Sequence, residues 1–244
     1  MVTVFLSSGH GGTDPGAVAH GLKEKDINLA VLLACKSELE RHGVKVIASR
    51  VKDENDPKED EVREANASGA SVAVSFHENA GGGDGFEAYY FTSSTEARTL
   101  ATLCEKHIKG IGQNSRGIKS GNHLYWCKKT KMPSVLVESF FVDSADRLIG
   151  DTAAEQKAFG VAYAKAILEY FGIKYKGAEV LTKNDVIAII KEYEAQKAKE
   201  AVSAWSAASW KKAKKKGIMD GTMPKSPVTR EQLAAILDRT GHLD

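Results

Sequence analysis

Two rhythms of apolar residues alternate along the first part of this chain. Short β-branched or aromatic runs occur at residues 2–7 (VTVFLS), 45–49 (KVIAS) and 72–76 (VAVSF, ending at His77). They recur within 81–92, at 123–126 (HLYW) and at 133–138 (PSVLVE). Each reads as a strand. Between them lie longer stretches with helical spacing. Residues 26–43 carry Ile27, Val31, Ala34 and Leu39 on one face and stop at Gly43, and residues 57–70 begin with proline and acids, as a helix start should. Residues 94–112 and 153–172 read the same way. Strands alternating with helices predict an α/β fold, a mainly parallel twisted sheet with helices on both faces.

The rhythm changes after residue 174. Residues 175–181 read as a linker, and residues 182–244 as a small all-α C-terminal module rich in alanine, lysine and glutamate. Within it, Thr182 and Asp185 fit a cap for one long helix reaching Gly217. Thr229 and Gln232 fit the capping box of another helix.

Composition removes several classes. A net charge of +2 is too small to require a nucleic-acid partner, although KKAKKK concentrates lysine near the C-terminus. Cys35, Cys104 and Cys127 are far apart and form no CxxC pair, so they read as reduced core residues. No segment reaches transmembrane length, so no membrane insertion is expected. MVTVFLSSGH has no basic start before a long apolar run. The expectation is a protein made in the cytoplasm without a signal peptide.

The chemistry gathers at strand ends. In parallel sheets the active site forms beyond the carboxyl ends of the strands, and His10, His77 and Glu138 each sit at or just past one. His10 and Glu24 share the glycine-rich stretch SSGHGGTDPGAVAHGLKEKD, read as a loop. Any one of these histidines alone reads as an ordinary loop residue. Together, His10, Glu24 and His77 supply the three nitrogen and oxygen ligands of a catalytic zinc site with a fourth position open, and Glu138 stands as a separate carboxylate. His20 matches no ligand position, and Glu78 should point away from His77 along the strand. His42 and His107 read as helix surface or packing residues.

Four stretches in order, SSGHGGTDPGAVAHGLKEKDINLA, REANASGASVAVSFHENA, GFEAYYF and MPSVLVESFF, resemble the successive motifs of the zinc-dependent N-acetylmuramoyl-L-alanine amidases of the amidase-3 family. The resemblance spans residues 1 to 174. It implies Zn2+ held by His10, Glu24 and His77, with Glu138 as catalytic residue. The implied reaction is hydrolysis of the amide between N-acetylmuramic acid and L-alanine in peptidoglycan by zinc-activated water. Arg63 and Asn66 match the arginine and asparagine of the helix before the third strand, implied to be structural or to support the ligands from behind, and Glu87 matches a glutamate near the substrate groove. His123 is a further substrate-facing candidate at the site's edge. Phe140 departs from a glycine found in many members and leaves the groove wall open to question.

WKKAKKKGIMDGTMPKSPVTREQLAAILDR resembles a single S-layer homology module. Trp210, Gly217, Gly221, Thr229, Arg230 and Glu231 match its marks, which implies binding of an anionic secondary cell-wall polymer. A single copy, where such modules commonly occur in several, implies self-association or weak binding. The alternative for the tryptophans is packing between helices, and for the lysines a solvated face. The whole chain then reads as a phage or prophage endolysin acting on the wall after release by a holin or cell lysis. A host mother-cell-lysis autolysin, a non-catalytic wall-binding protein keeping the fold and a zinc peptidase of the stem peptide are the alternatives.

Overall fold

A computed structural model describes residues 2–177, 183–218, 225 and 230–239. The chain divides into two compact units, Met1–Lys176 and Gly177–Asp244, each described by itself.

The first unit is a six-stranded sheet clad by helices. In chain order come β1 (Thr3–Ser8), a small hairpin of β2 (Val18–Ala19) and β3 (Leu22–Lys23), α1 (Glu24–Arg41), β4 (Lys45–Ala48), α2 (Lys58–Ala67) and β5 (Val72–Asn79). Then follow β6 (Phe86–Tyr90), α3 (Thr95–Lys109), β7 (Ser115–Ser120), α4 (Tyr125–Lys129), β8 (Ser134–Phe141) and α5 (Ala153–Tyr170). The strand order is β4-β1-β5-β8-β6-β7. All neighbours are parallel except β6 against β8. The fold is the mainly parallel α/β sheet that the alternation predicts.

Burial explains why the central strands are continuous apolar runs, for helices cover both faces. On one face Val4, Leu6, Val74, Val135 and Val137 pack with Val31 and Leu39 of α1, Leu100 and Ile108 of α3, and Phe159, Tyr163 and Ile167 of α5. The other face carries Phe5, Ala73 and Leu136 under Val62 and Ala65 of α2 and Trp126 of α4. α1 and α5 meet at Gly160, where a Cβ would come within 2.5 Å of the Val31 carbonyl oxygen. α5 starts with a capping box, Thr152 and Glu155 each bonding the other's backbone.

Two short elements differ from the sequence reading. HLYW is no strand: Tyr125 and Trp126 open α4, and Trp126 Nε1 donates to the Val135 carbonyl, 3.0 Å away, beneath the sheet. The strand in that region is β7, SRGIKS, which occupies the sheet's edge and needs only Ile118 as an apolar residue. Phe140 forms no groove wall; it is buried in the core against Phe159. The three cysteines are free and buried, and burial pushes the Cys104 and Cys127 thiols up to about 12. They are inert at neutral pH. Among the described residues no helix is long and apolar enough to cross a membrane.

In the second unit the expected long helix is two: α6 (Lys183–Ala198) and α7 (Ala207–Lys215), separated by a break and a single 3-10 turn at Ala204–Ser206. Ser203 takes extended backbone there, and its carbonyl accepts a hydrogen bond from the Ser206 hydroxyl, a local competitor of helix continuation. α8 (Arg230–Arg239) follows. Thr182, Gly221 and Thr229 lie outside the described residues, as does the side chain of Arg230.

Candidate metal centre and active site

The loop after β1 positions His10. Its backbone has φ 64°, and the following Gly11 and Gly12 also have positive φ, a left-handed path that a histidine adopts only when its surroundings hold it there. Those surroundings are buried. Asn28 Nδ2 donates to the Gly9 carbonyl (2.9 Å), and Arg50 Nη2 donates to the Lys25 carbonyl (2.7 Å) while its Nε reaches that of Ser8 (3.1 Å). Asp14 Oδ2 lies 2.8 Å from His10 Nδ1, which leaves Nε2 to face the site.

Glu24 is the first residue of α1, not part of the loop as the glycine-rich stretch predicts. The β2–β3 hairpin closes the loop early and delivers the helix start to the sheet edge. Glu24 is 4% exposed. Its Oε2 accepts from Ala17 N (2.8 Å), which aims Oε1 at His10 Nε2 (3.2 Å) and His77 Nδ1 (3.0 Å). One ligand atom from each of His10, Glu24 and His77 lies within 4.8 Å of the others. The donor set, two imidazoles and one carboxylate, fits zinc. Room for the rings comes from glycine, for a Cβ at Gly9 would sit 2.1 Å from the His77 ring.

His77 projects from β5, and Glu138 is its register partner on β8. On the other side Glu138 pairs in register with Glu87 of β6. Glu138 Oε2 is buried without a hydrogen-bond partner. An orphaned carboxylate oxygen beside such a donor set is a feature that functional sites keep.

Electrostatics follow from this crowding. The hydrogen bond to Glu24 foremost raises His10 to about 9, even though burial opposes it. Burial also works against a charged His77, but the same carboxylate outweighs it and the group moves up. Burial would raise Glu24; the hydrogen bonds from His10 and His77 win and hold it well below the usual carboxylate range. Glu138 has no such donor, and burial pushes it up to about 7. The cluster thus gathers positive charge on one carboxylate and leaves a second one near neutrality.

Other sequence candidates fall in different places. Glu87 is 3% exposed, with its carboxylate taken up by Arg116, Lys119, Tyr89 and Asn79. His123 is exposed, edge-on to Tyr89, and lines the same cavity as His10 and His77. Arg63 pairs with Asp60 on the surface, away from the cluster. Asn66 clasps the Lys129 carbonyl (2.9 Å) and the Lys131 amide (2.7 Å), tying α2 to the segment after α4. Glu78 points to the opposite face, where its Oε2 accepts from Phe140 N. His20 is an exposed turn residue.

In the second unit Trp205 is 90% exposed rather than packed, Trp210 is half-buried, and Lys211, Lys212, Lys214, Lys215 and Lys216 are exposed. Sequence reasoning passed over Asp14, Asn28 and Arg50. Only Asp14 left a trace, as an acid four residues after His10 in a glycine-rich loop.

Comparison with known proteins follows the same lines. A family model described as N-acetylmuramoyl-L-alanine amidase, Amidase_3, matches residues 4–169. The sporulation-specific N-acetylmuramoyl-L-alanine amidase of Bacillus subtilis is 33% identical over 190 residues, 75% of this chain and 73% of that protein. The endolysin of Bacillus phage SPP1 is 38% identical over 194 residues, 75% of this chain and 70% of that protein. The solved catalytic domain of CwlV, an N-acetylmuramoyl-L-alanine amidase from Bacillus (Paenibacillus) polymyxa, superposes with a TM-score of 0.67 at 30% identity, covering 71% of this chain and 100% of that one. With more than half its length matched by the family model, and the matched span coinciding with the sheet that carries His10, Glu24, His77 and Glu138, the chain belongs to the Amidase_3 family of N-acetylmuramoyl-L-alanine amidases.

Proposed function

We propose that this protein is a zinc-dependent N-acetylmuramoyl-L-alanine amidase that separates the stem peptide of peptidoglycan from its glycan, with His10, Glu24 and His77 as zinc ligands and Glu138 as catalytic base and acid. The observation that carries this reading is the convergence of those three ligand atoms within 4.8 Å, one strand away from an unpartnered buried carboxylate oxygen. Zinc, when bound, supplies Lewis acidity that polarises the scissile carbonyl and acidifies water. Asp14 fixes the tautomer and orientation of His10. Glu138 receives the proton of the attacking water on Oε2 and returns it to the departing L-alanine amine. Glu87 holds Arg116 and Lys119 at the edge of the site. His123 faces the substrate from the cavity wall.

The test is the mass of the fragments released from defined peptidoglycan by the purified, zinc-analysed protein. Free stem peptides beginning with L-alanine are expected, and their release stops on chelation and returns with zinc. Fragments cut within the stem would make the protein a peptidase, and a zinc-free protein that releases no dye from walls would make it a non-catalytic binder.

The setting we infer is that of an endolysin, made in the cytoplasm and reaching the wall after holin action or cell lysis; the resemblance to a phage endolysin supports it. The resemblance to a sporulation-specific amidase favours the second reading, a host autolysin of the same chemistry released when the mother cell lyses. A holin gene beside the coding sequence decides for the first.

Residues 182–244 serve in this reading as a wall-binding module, with Trp210, Thr229, Arg230 and Glu231 in the polymer site and the exposed lysines drawing it to anionic wall polymer. The chain truncated after Gly177 is expected to cut soluble muropeptides as the parent does, because the proposed zinc ligands and Glu138 all precede that point. Its lysis of intact walls falls, since the module contributes local concentration and no chemistry. Cosedimentation of the isolated module with walls, weakened by salt, checks the same point. A truncated enzyme that lyses cells as well as the parent, with a module left in the supernatant, would replace wall targeting with self-association.

A further inference from the structure

The cavity beside the ligand cluster holds polar groups that the chemistry above does not use. It encloses about 610 Å3 and runs from His10 and His77 along the sheet between the start of α2 and the segment entering α4. Glu61, in the first turn of α2, lines it although only 4% exposed, and Ser75 on β5 lines it at 1%. The Ser75 hydroxyl is buried without a hydrogen-bond partner, whereas Glu61 has the Ser7 hydroxyl and Asp56 at the rim has that of Ser49 beside it. Burial pushes the carboxyls of both Glu61 and Asp56 up from their ordinary values.

Among the described residues no lysine or arginine forms an ion pair with either acid, although the charge of Arg50 reaches both and His10 and His77 lie near Glu61. Arg50 is spent on backbone carbonyls. Lys58, the one lysine lining the cavity, sits 4.0 Å from Glu59 and over the Tyr125 ring. A buried carboxylate with one hydroxyl beside it and no ion pair, next to an unpartnered buried hydroxyl, retains acceptor capacity for a group that brings donors and positive charge together. A primary ammonium has three donors and no acceptor. Leu124, Trp126 and Leu136 give the same cavity apolar walls, which suit the methylene stem behind such a group.

We propose that this cavity is a specificity pocket for a primary ammonium on the peptide side of the scissile bond, the side-chain amine of the diamino acid in the stem peptide, with Glu61 as its counter-charge and Ser75 as a hydrogen-bond acceptor. The peptide arm is the fitting source, for the N-acetylated sugars of the other arm are uncharged. The proposal rests on the amidase reading and specifies its substrate.

Two measurements on the full zinc-loaded chain test it. Calorimetry compares the tripeptide L-Ala-γ-D-Glu-L-Lys with the same peptide acetylated on the lysine side chain, and kinetics compare the corresponding N-acetylmuramoyl tripeptides. The parent is expected to favour the free amine about tenfold or more in Kd and in kcat/KM, with KM carrying the difference, as loss of a charged hydrogen bond implies. Glu61→Gln brings both ratios to within about twofold, and Asp56→Asn at the rim narrows them. Equal binding of the two tripeptides by the parent, or a preference that survives both substitutions, overturns the pocket. Should neither muramoyl substrate be cut while the tripeptide preference stands, the pocket survives and the amidase reading falls. Cleavage of both substrates at equal rates removes the pocket alone.

Discussion

Glu138→Gln is expected to keep the fold and the zinc content of the parent while losing roughly 10²- to 10⁴-fold in kcat on a soluble muropeptide. Glutamine fills nearly the same volume, so β8 and its register with His77 and Glu87 stay in place. The amide cannot accept a proton, and that is the function assigned to this position. The swap is also sterically and electrically cheap: burial already pushes Glu138 up to about 7, and its Oε2 has no hydrogen bond to lose. Metal analysis beside single-turnover mass spectrometry checks the claim. Activity within a few fold of the parent would place the base elsewhere.

His77→Ala should fail differently, losing zinc and activity together. With the ring gone, His10 and Glu24 remain, and two ligands seldom hold the ion in a catalytic geometry. His10→Ala is expected to behave alike. Glu24→Ala is a milder case, since water can stand in for a carboxylate and leave partial occupancy. Asp14→Ala belongs to a third class: it removes the group that orients His10 and accepts from the Gly16 amide but no ligand, so a loss of roughly 10- to 100-fold in zinc affinity is expected, with activity restored at high zinc. Zinc stoichiometry after dialysis, measured across this series, orders the variants. Full occupancy in His77→Ala or His10→Ala would remove that residue from the site.

How much of this was legible in the chain depends on what kind of residue marked it. β1, β5 and β8 are buried on both faces, so their apolar runs stand out, and His10, His77 and Glu138 follow from where those runs stop or turn polar. β8 in fact continues three residues beyond Glu138, to Phe141, which no apolar count separates from a strand that ends at the glutamate. β7 left almost no signal because an edge strand needs little apolar surface. HLYW misled because Trp126 is buried by a short helix beneath the sheet, where burial and aromaticity imitate a strand. Glu24 looked like a loop residue because the hairpin that ends the loop has strands of only two residues each. Glu61 carried no mark at all: in sequence it is one acid among several at a helix start, and only the fold separates it from exposed Glu59.

The strand order has a consequence for how the protein comes into being. β8 is the last strand made, yet it lies between β5 and β6. Until Ser134–Phe141 has been synthesised and inserted, the strands made earlier form two separate sets with an open edge on each, and such non-local pairing closes slowly. Glu138 arrives on that inserting strand. A chain that stops before Ser134 therefore holds His10, Glu24 and His77 without Glu138, and on the reading proposed above the step that completes the sheet also completes the site.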